Sequence, residues 1–282
     1  MLATRKTVAK AMELLYVFSQ EEPELTVGEI SRRLGIHKSV VSRLAGTLCA
    51  WRMLEQNPAT RRLRLGVGLF QLGMQFADQQ PLSRVAGRFL NELVRRTRQS
   101  AHVSIRDGNS ILVVATVESP EALRVIMRLG DRRMLYATAA GKVLLAHLSE
   151  TVFEEVVAET GLAALTPTTL TTEESLRATV VRARREGLAW NNGESTRGAG
   201  AVAAPIFGAG GAAVAALSMV FPLAVVSKPE RLFIAGEVKK SAREISVAIG
   251  ATREGLSLQP GGSAKRPAAA GRQSPRAAVG GT

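Results

Sequence analysis

Val8, Met12, Leu15 and the pair Val17-Phe18 recur every three or four residues, which predicts an amphipathic helix over residues 4–19. Glu21-Glu22-Pro23-Glu24 breaks that pattern. Thr26 then stands as an N-cap with Glu29 three residues on, the arrangement of a capping box. Val27, Ile30 and Leu34 give the helix that follows one apolar face, and Gly35 ends it. A second helix starts at about Lys38, with Val40, Val41, Leu44 and Leu48 inward and Lys38, Ser39, Ser42, Arg43 and Thr47 outward. Downstream, Met53 to Leu65 reads as a hairpin turning at Asn57-Pro58-Ala59-Thr60, with Arg61, Arg62 and Arg64 on its second strand. Residues 67–77 form a helix with a strong apolar face, and Pro81 opens another that runs to about residue 99.

Beyond residue 100 the period changes from helical to alternating. Strands are predicted at 102–106, 111–117, 123–129, 188–191, 201–207 and 213–220. Helices are predicted around Ala140, over 172–186 and over 228–249. Strands of this kind mixed with helices describe an α+β domain. Residues 198–227 carry no charge and are long enough to span a bilayer. Pro205, Pro222 and the glycines at 208, 210 and 211 make two buried strands the better reading.

Charge sharpens the picture of the first third. The 282 residues carry 37 Lys+Arg against 24 Asp+Glu, a net of +13 that favours a polyanionic partner. From residue 30 to 66 there are eight basic residues and one acidic residue, Glu55. Two short helices about a glycine turn, a basic outer face and a basic hairpin together describe a winged helix-turn-helix. A helix of that width fits the major groove of B-DNA. Lys38, Ser39, Ser42, Arg43 and Thr47 are placed to reach bases or phosphates, and Arg61, Arg62 and Arg64 to meet the backbone as a wing.

Other chemistries find little support. One cysteine, Cys49, excludes an internal disulfide, and His37, His102 and His147 are too scattered for a metal site. Gly208 to Ala213 matches a dinucleotide fingerprint in form, but too little chain follows for a doubly wound sheet. Cys49 lacks a nearby base. No catalytic residue, cofactor or metal is expected, so the chain reads as a non-enzyme. The start lacks a signal-peptide pattern, and the expected compartment is the cytoplasm. A small-molecule sensor without DNA binding is the alternative, and the charge bias of residues 30–66 argues against it.

Three separated stretches resemble the IclR family of bacterial transcription regulators. They are Leu34-Gly35-Ile36-His37-Lys38-Ser39-Val40-Val41-Ser42-Arg43-Leu44, then Thr138-Ala139-Ala140-Gly141-Lys142-Val143-Leu144-Leu145-Ala146, then Arg185-Glu186-Gly187-Leu188 with Glu194, Gly198 and Val202 to Ile206. The resemblance implies a winged helix-turn-helix (1–66), a linker helix (67–80) and a GAF-like effector-binding and oligomerisation domain (81–254). The Gly, Ala, Pro and Ser-rich remainder, 255–282, reads as a disordered basic tail. A homodimer or tetramer, a roughly palindromic operator and a small-molecule effector are implied too. His37 stands where the family often has Ser as N-cap; imidazole caps less well, so His37 is expected to face a phosphate.

Free N–H groups at Ala139, Ala140 and Gly141, where a helix opens, favour a carboxylate. Close helix–strand packing is the other reading of those small residues. By motif position the resemblance adds Asn191, Ala201, Ser218 and Val220 to the effector pocket. Val220 replaces a hydroxyl there, which points to an organic acid with a more apolar or aromatic body.

Overall fold

In a computed structural model, residues 2–19, 21–78 and 81–252 are described. The tail expected at 255–282 lies outside them, as do the last two residues of the expected linker. The chain divides into two compact units between Arg84 and Val85.

In the first unit, α1 (Leu2–Tyr16), α2 (Val27–Leu34) and α3 (Lys38–Ala50) enclose a core of Leu14, Ile30, Ile36, Val41, Leu44 and Leu48. Thr26 and Glu29 cap α2 reciprocally, Thr26 Oγ1 accepting from Glu29 N at 3.2 Å and Thr26 N donating to Glu29 Oε2 at 2.7 Å. Those bonds hold the Glu29 carboxyl below its ordinary value, the Thr26 backbone donor first among the causes. Gly35 closes α2 at φ 63°, a left-handed backbone that glycine adopts without steric cost.

A three-stranded antiparallel sheet follows, in the order β1 (Glu24–Leu25), β3 (Leu63–Leu65), β2 (Leu54–Gln56). The turn between β2 and β3 is held by Asn57 Oδ1, which accepts from Ala59 N and Thr60 N. The helical stripe of α1 is rotated from its expected place: Leu14 is buried, while Val8 and Met12 are exposed. The helix α4 (Val67–Asp78) likewise exposes Phe70, Leu72, Met74 and Phe76.

The second unit is built on one antiparallel sheet of six strands. Its order is β6 (Arg132–Met134), β5 (Ser110–Val117), β4 (Ser100–Asp107), β9 (Ala213–Pro222), β8 (Ala199–Phe207), β7 (Ala189–Asn192). Alternation along β9 sends successive residues to opposite faces. Met219 meets α5 (Pro81–Thr97) through Thr97 Oγ1, which lies 3.4 Å from Met219 Sδ. On the same face Ser246 of α9 (Lys228–Ala248) accepts from Phe207 N. The opposite face, with Ala203 and Ala216, packs against α6 (Ala139–Leu145), α7 (Glu150–Thr160) and α8 (Glu173–Glu186).

The expected strand over 123–129 is absent; an irregular segment takes its place, and Arg132–Met134 forms the edge strand instead. Helix α7 was not expected, because Phe153 and Val156 alone are buried along it. The uncharged stretch resolves as β8 and β9 joined at Gly208, whose N–H bonds Ala212 O. A hairpin between antiparallel strands has no helix N-terminus to offer a dinucleotide phosphate. Among the described residues, no helix is long and apolar enough to cross a membrane.

Candidate functional site

Two sites emerge, one in each unit. In the first, α3 buries Val41, Leu44, Ala45 and Leu48, which leaves His37, Lys38, Ser39, Ser42, Arg43 and Thr47 exposed on the outward side. Among the described residues, neither Lys38 nor Arg43 has an ion-pair partner. Their charges are free to meet an anion. Thr47 Oγ1 donates to Arg43 O, one turn back.

His37 corrects an expectation: it does cap α3, its Nδ1 accepting from Ser39 N at 3.3 Å and lying 2.8 Å from Ser39 Oγ. The wing divides in a way the sequence concealed. Arg62 is committed inward, donating to Glu24 O at 2.9 Å and to Glu29 Oε1 at 3.2 Å. Arg64 pairs with Glu55 at 2.9 Å and lies 3.6 Å from Glu24. Arg62 ties the sheet to α2, and Arg64 ties β3 to its neighbours β1 and β2. Arg61, at the hairpin tip with φ 59°, stays exposed. Cys49 is half-buried, and its thiol is pushed up by burial and then by Glu55, away from the reactive thiolate form.

The second site is a cleft between α6 and the sheet, with about 440 Å³ of free space including its open mouth. Ala139, Ala140, Asn191, Ala201, Ser218 and Val220 all line it. Register explains the convergence: Asn191 pairs with Ala201, Ala201 with Val220, and His102 with Ser218, so the set shares one face of the sheet.

Gly141 does not line the cleft. A Cβ there would lie 2.1 Å from Leu135 O, so this glycine serves close packing. Its N–H is also taken, by Thr138 Oγ1 at 3.0 Å. The N–H groups of Ala139 and Ala140, in the first turn, have no intrahelical acceptor. Among the lining residues that the sequence reading did not name are His102, Arg133, Val125 and Met127. Val125 and Met127, from the missing strand, form an apolar wall with Val113 and Val220. Among the described residues, Arg133 is the one charged side chain at the cleft.

Beneath the cleft, Lys142 and Glu194 form a buried ion pair, Lys142 Nζ lying 2.7 and 2.6 Å from the two carboxylate oxygens. Glu194 N donates to Asn191 Oδ1 at 2.9 Å, and Glu194 O accepts from Thr169 Oγ1 at 2.7 Å. The pair therefore ties α6 to the loop whose next residues, Ser195 and Thr196, border the cleft. Burial lowers the Lys142 ammonium, and Glu194 opposes that shift.

His102 is buried, and desolvation pushes it down to about 4, with Asp131 opposing weakly. His147 is also held at about 4, by burial and then by Arg184. A histidine whose folded value lies below its ordinary 6.5 contributes stability above 6.5 that is lost as pH falls through about 4. His102 alone accounts for about 3 kcal/mol across that window. In calorimetric melts from pH 7 to 4, His102→Asn should lose stability less steeply than the wild type; parallel curves would contradict this.

Two family models match the chain. The IclR helix-turn-helix domain covers residues 7–58, and the bacterial transcriptional regulator IclR C-terminal domain covers 74–247. The transcriptional regulator XynR of Escherichia coli K12 is 29% identical over 245 residues, 87% of this chain and 97% of that protein. The regulator KdgR of the same organism is 30% identical over 230 residues, 82% of this chain and 88% of that protein. Among solved structures, an IclR homologue from Microbacterium hydrocarbonoxydans complexed with 4-hydroxybenzoate superposes with a TM-score of 0.77 at 26% identity, covering 86% of this chain and 98% of that one.

Proposed function

Because this chain belongs to the IclR family of bacterial transcriptional regulators, we propose that α3 carries its sequence reading and that a small monocarboxylic acid in the α6 cleft tunes its grip on DNA. The helix-turn-helix domain makes the chain a DNA-binding regulator. The observation that carries the residue assignment is the outward side of α3, where Lys38 and Arg43 stand exposed and unpaired beside Ser39, Ser42 and Thr47. In this reading Ser42, Arg43 and Thr47 meet base edges, while Lys38, Ser39 and Arg61 meet phosphates. His37 orients Ser39 from the cap. Arg62 and Arg64 act through the sheet they hold.

The domain division proposed is 1–66, 67–80 and 81–254. Exposed apolar side chains on α1 and α4 support pairing with a second copy of the chain. A paired chain would read a roughly palindromic operator in the cytoplasm, with half-sites about one or more helical turns apart. In the cleft, Arg133 and the free N–H groups of Ala139 and Ala140 suit one carboxylate, and the wall of Val125, Met127 and Val220 suits an apolar body. The 4-hydroxybenzoate complex of the Microbacterium homologue supports an aromatic acid.

A thermal-shift screen of the full chain against small monocarboxylic acids tests the ligand. A ligand that binds only the folded state raises its melting temperature. The acid that does so should change the affinity for duplex DNA. If no acid shifts the melting temperature, the effector reading is wrong.

A further inference from the structure

The polar groups lining the cleft are not equally committed. Thr138 Oγ1 accepts from Gly141 N and donates to Met134 O. The Asn191 side chain donates to Ala137 O and accepts from Glu194 N. His102 Nδ1 and Ser218 Oγ are different: both are buried, and neither has a hydrogen-bond partner in the protein. They sit opposite each other on β4 and β9, a register that sets their Cβ atoms about 5 Å apart. Leaving such groups unsatisfied is costly, and native structures rarely do so.

We propose that His102 and Ser218 form a specificity subsite that reads a neutral hydrogen-bonding substituent, a hydroxyl group, on the acid that occupies the cleft. The proposal rests on the effector reading above and narrows it to a hydroxy acid. A neutral imidazole and an alcohol can each donate and accept, and a hydroxyl can do both in return. A second carboxylate does not suit this corner: the cleft's charged side chain is Arg133, and a charge here would be desolvated without a cationic partner. The acid would thus bring its carboxylate to Arg133, its body to the apolar wall, and its hydroxyl to the His102–Ser218 pair.

Calorimetric titration of the full chain with benzoate and with 2-, 3- and 4-hydroxybenzoate tests the subsite. At least one hydroxylated isomer should bind about tenfold or more tightly than benzoate, as expected where a site built for a hydroxyl meets an analogue lacking it. His102→Leu and Ser218→Ala should each bring the preferred isomer down to about the affinity that the same variant shows for benzoate, with a cooperative melt showing that each variant is folded. His102→Gln, which keeps a donor and an acceptor, should retain part of the preference. No preference in the wild type, or one that survives both substitutions because a retained water satisfies the pair, overturns the subsite but leaves the effector reading standing. Failure of every benzoate and every other monocarboxylic acid to bind overturns both.

Discussion

Lys142→Met is expected to destabilise the second unit by about 3–5 kcal/mol, the cost of leaving Glu194 charged and buried without its partner. Nothing about the wild-type pair need be strongly stabilising for this to hold. Two charges brought out of water incur a desolvation cost that their attraction only offsets, so the large effect appears when one is removed alone. The damage should not stay at Lys142. Glu194 anchors the loop through Asn191 and Thr169, and Ser195 and Thr196 on that loop border the cleft. Ligand affinity should therefore fall along with stability. Lys142→Met combined with Glu194→Gln removes both charges and should recover more than half of the loss. Denaturant titrations of the single and double variants check both statements. A single-variant cost below about 1 kcal/mol would mean that Glu194 finds water or another cation instead.

Arg43→Ala is expected to weaken specific DNA binding by about 1–3 kcal/mol, roughly 5- to 150-fold. Its guanidinium is exposed on α3 and has no partner within the described residues, so the substitution removes no ion pair of the fold. If Arg43 reads a base, preference at one position of the site relaxes along with affinity. Lys38→Ala should behave otherwise, lowering affinity evenly across sequences and reducing the salt slope by about one. Fluorescence anisotropy with the cognate duplex and single-base variants separates the two patterns. Wild-type affinity in Arg43→Ala would remove that residue from the interface.

The parts of this molecule legible in its sequence are those fixed by local chemistry. The capping box at Thr26 and Glu29, the left-handed Gly35 and the apolar stripe of α3 are each specified within a few residues, and all three form as expected. The elements that went unread depend on partners far along the chain. Leu123 to Leu129 is apolar enough for a strand, yet it ends up lining a cleft, and the charged Arg132–Met134 takes the edge of the sheet. Arg62 and Arg64 looked like free wing charges because Glu24, Glu29 and Glu55 come close only once the sheet has closed. Gly141 could be read either as a ligand approach or as packing, and the position of Leu135 decides for packing. His102 was visible only as one histidine in an alternating strand. Its pairing with Ser218 spans 116 residues of chain and follows from strand order, which no local pattern encodes.

The outward side of α3 is the surface proposed to select a DNA sequence. Selection of bound duplexes from a randomised library by the full chain, run in parallel with Arg43→Ala, tests this most directly. The wild type should recover one consensus with two related halves, and the variant should lose or blur it. Recovery of no consensus, or of the same consensus by both proteins, would contradict it.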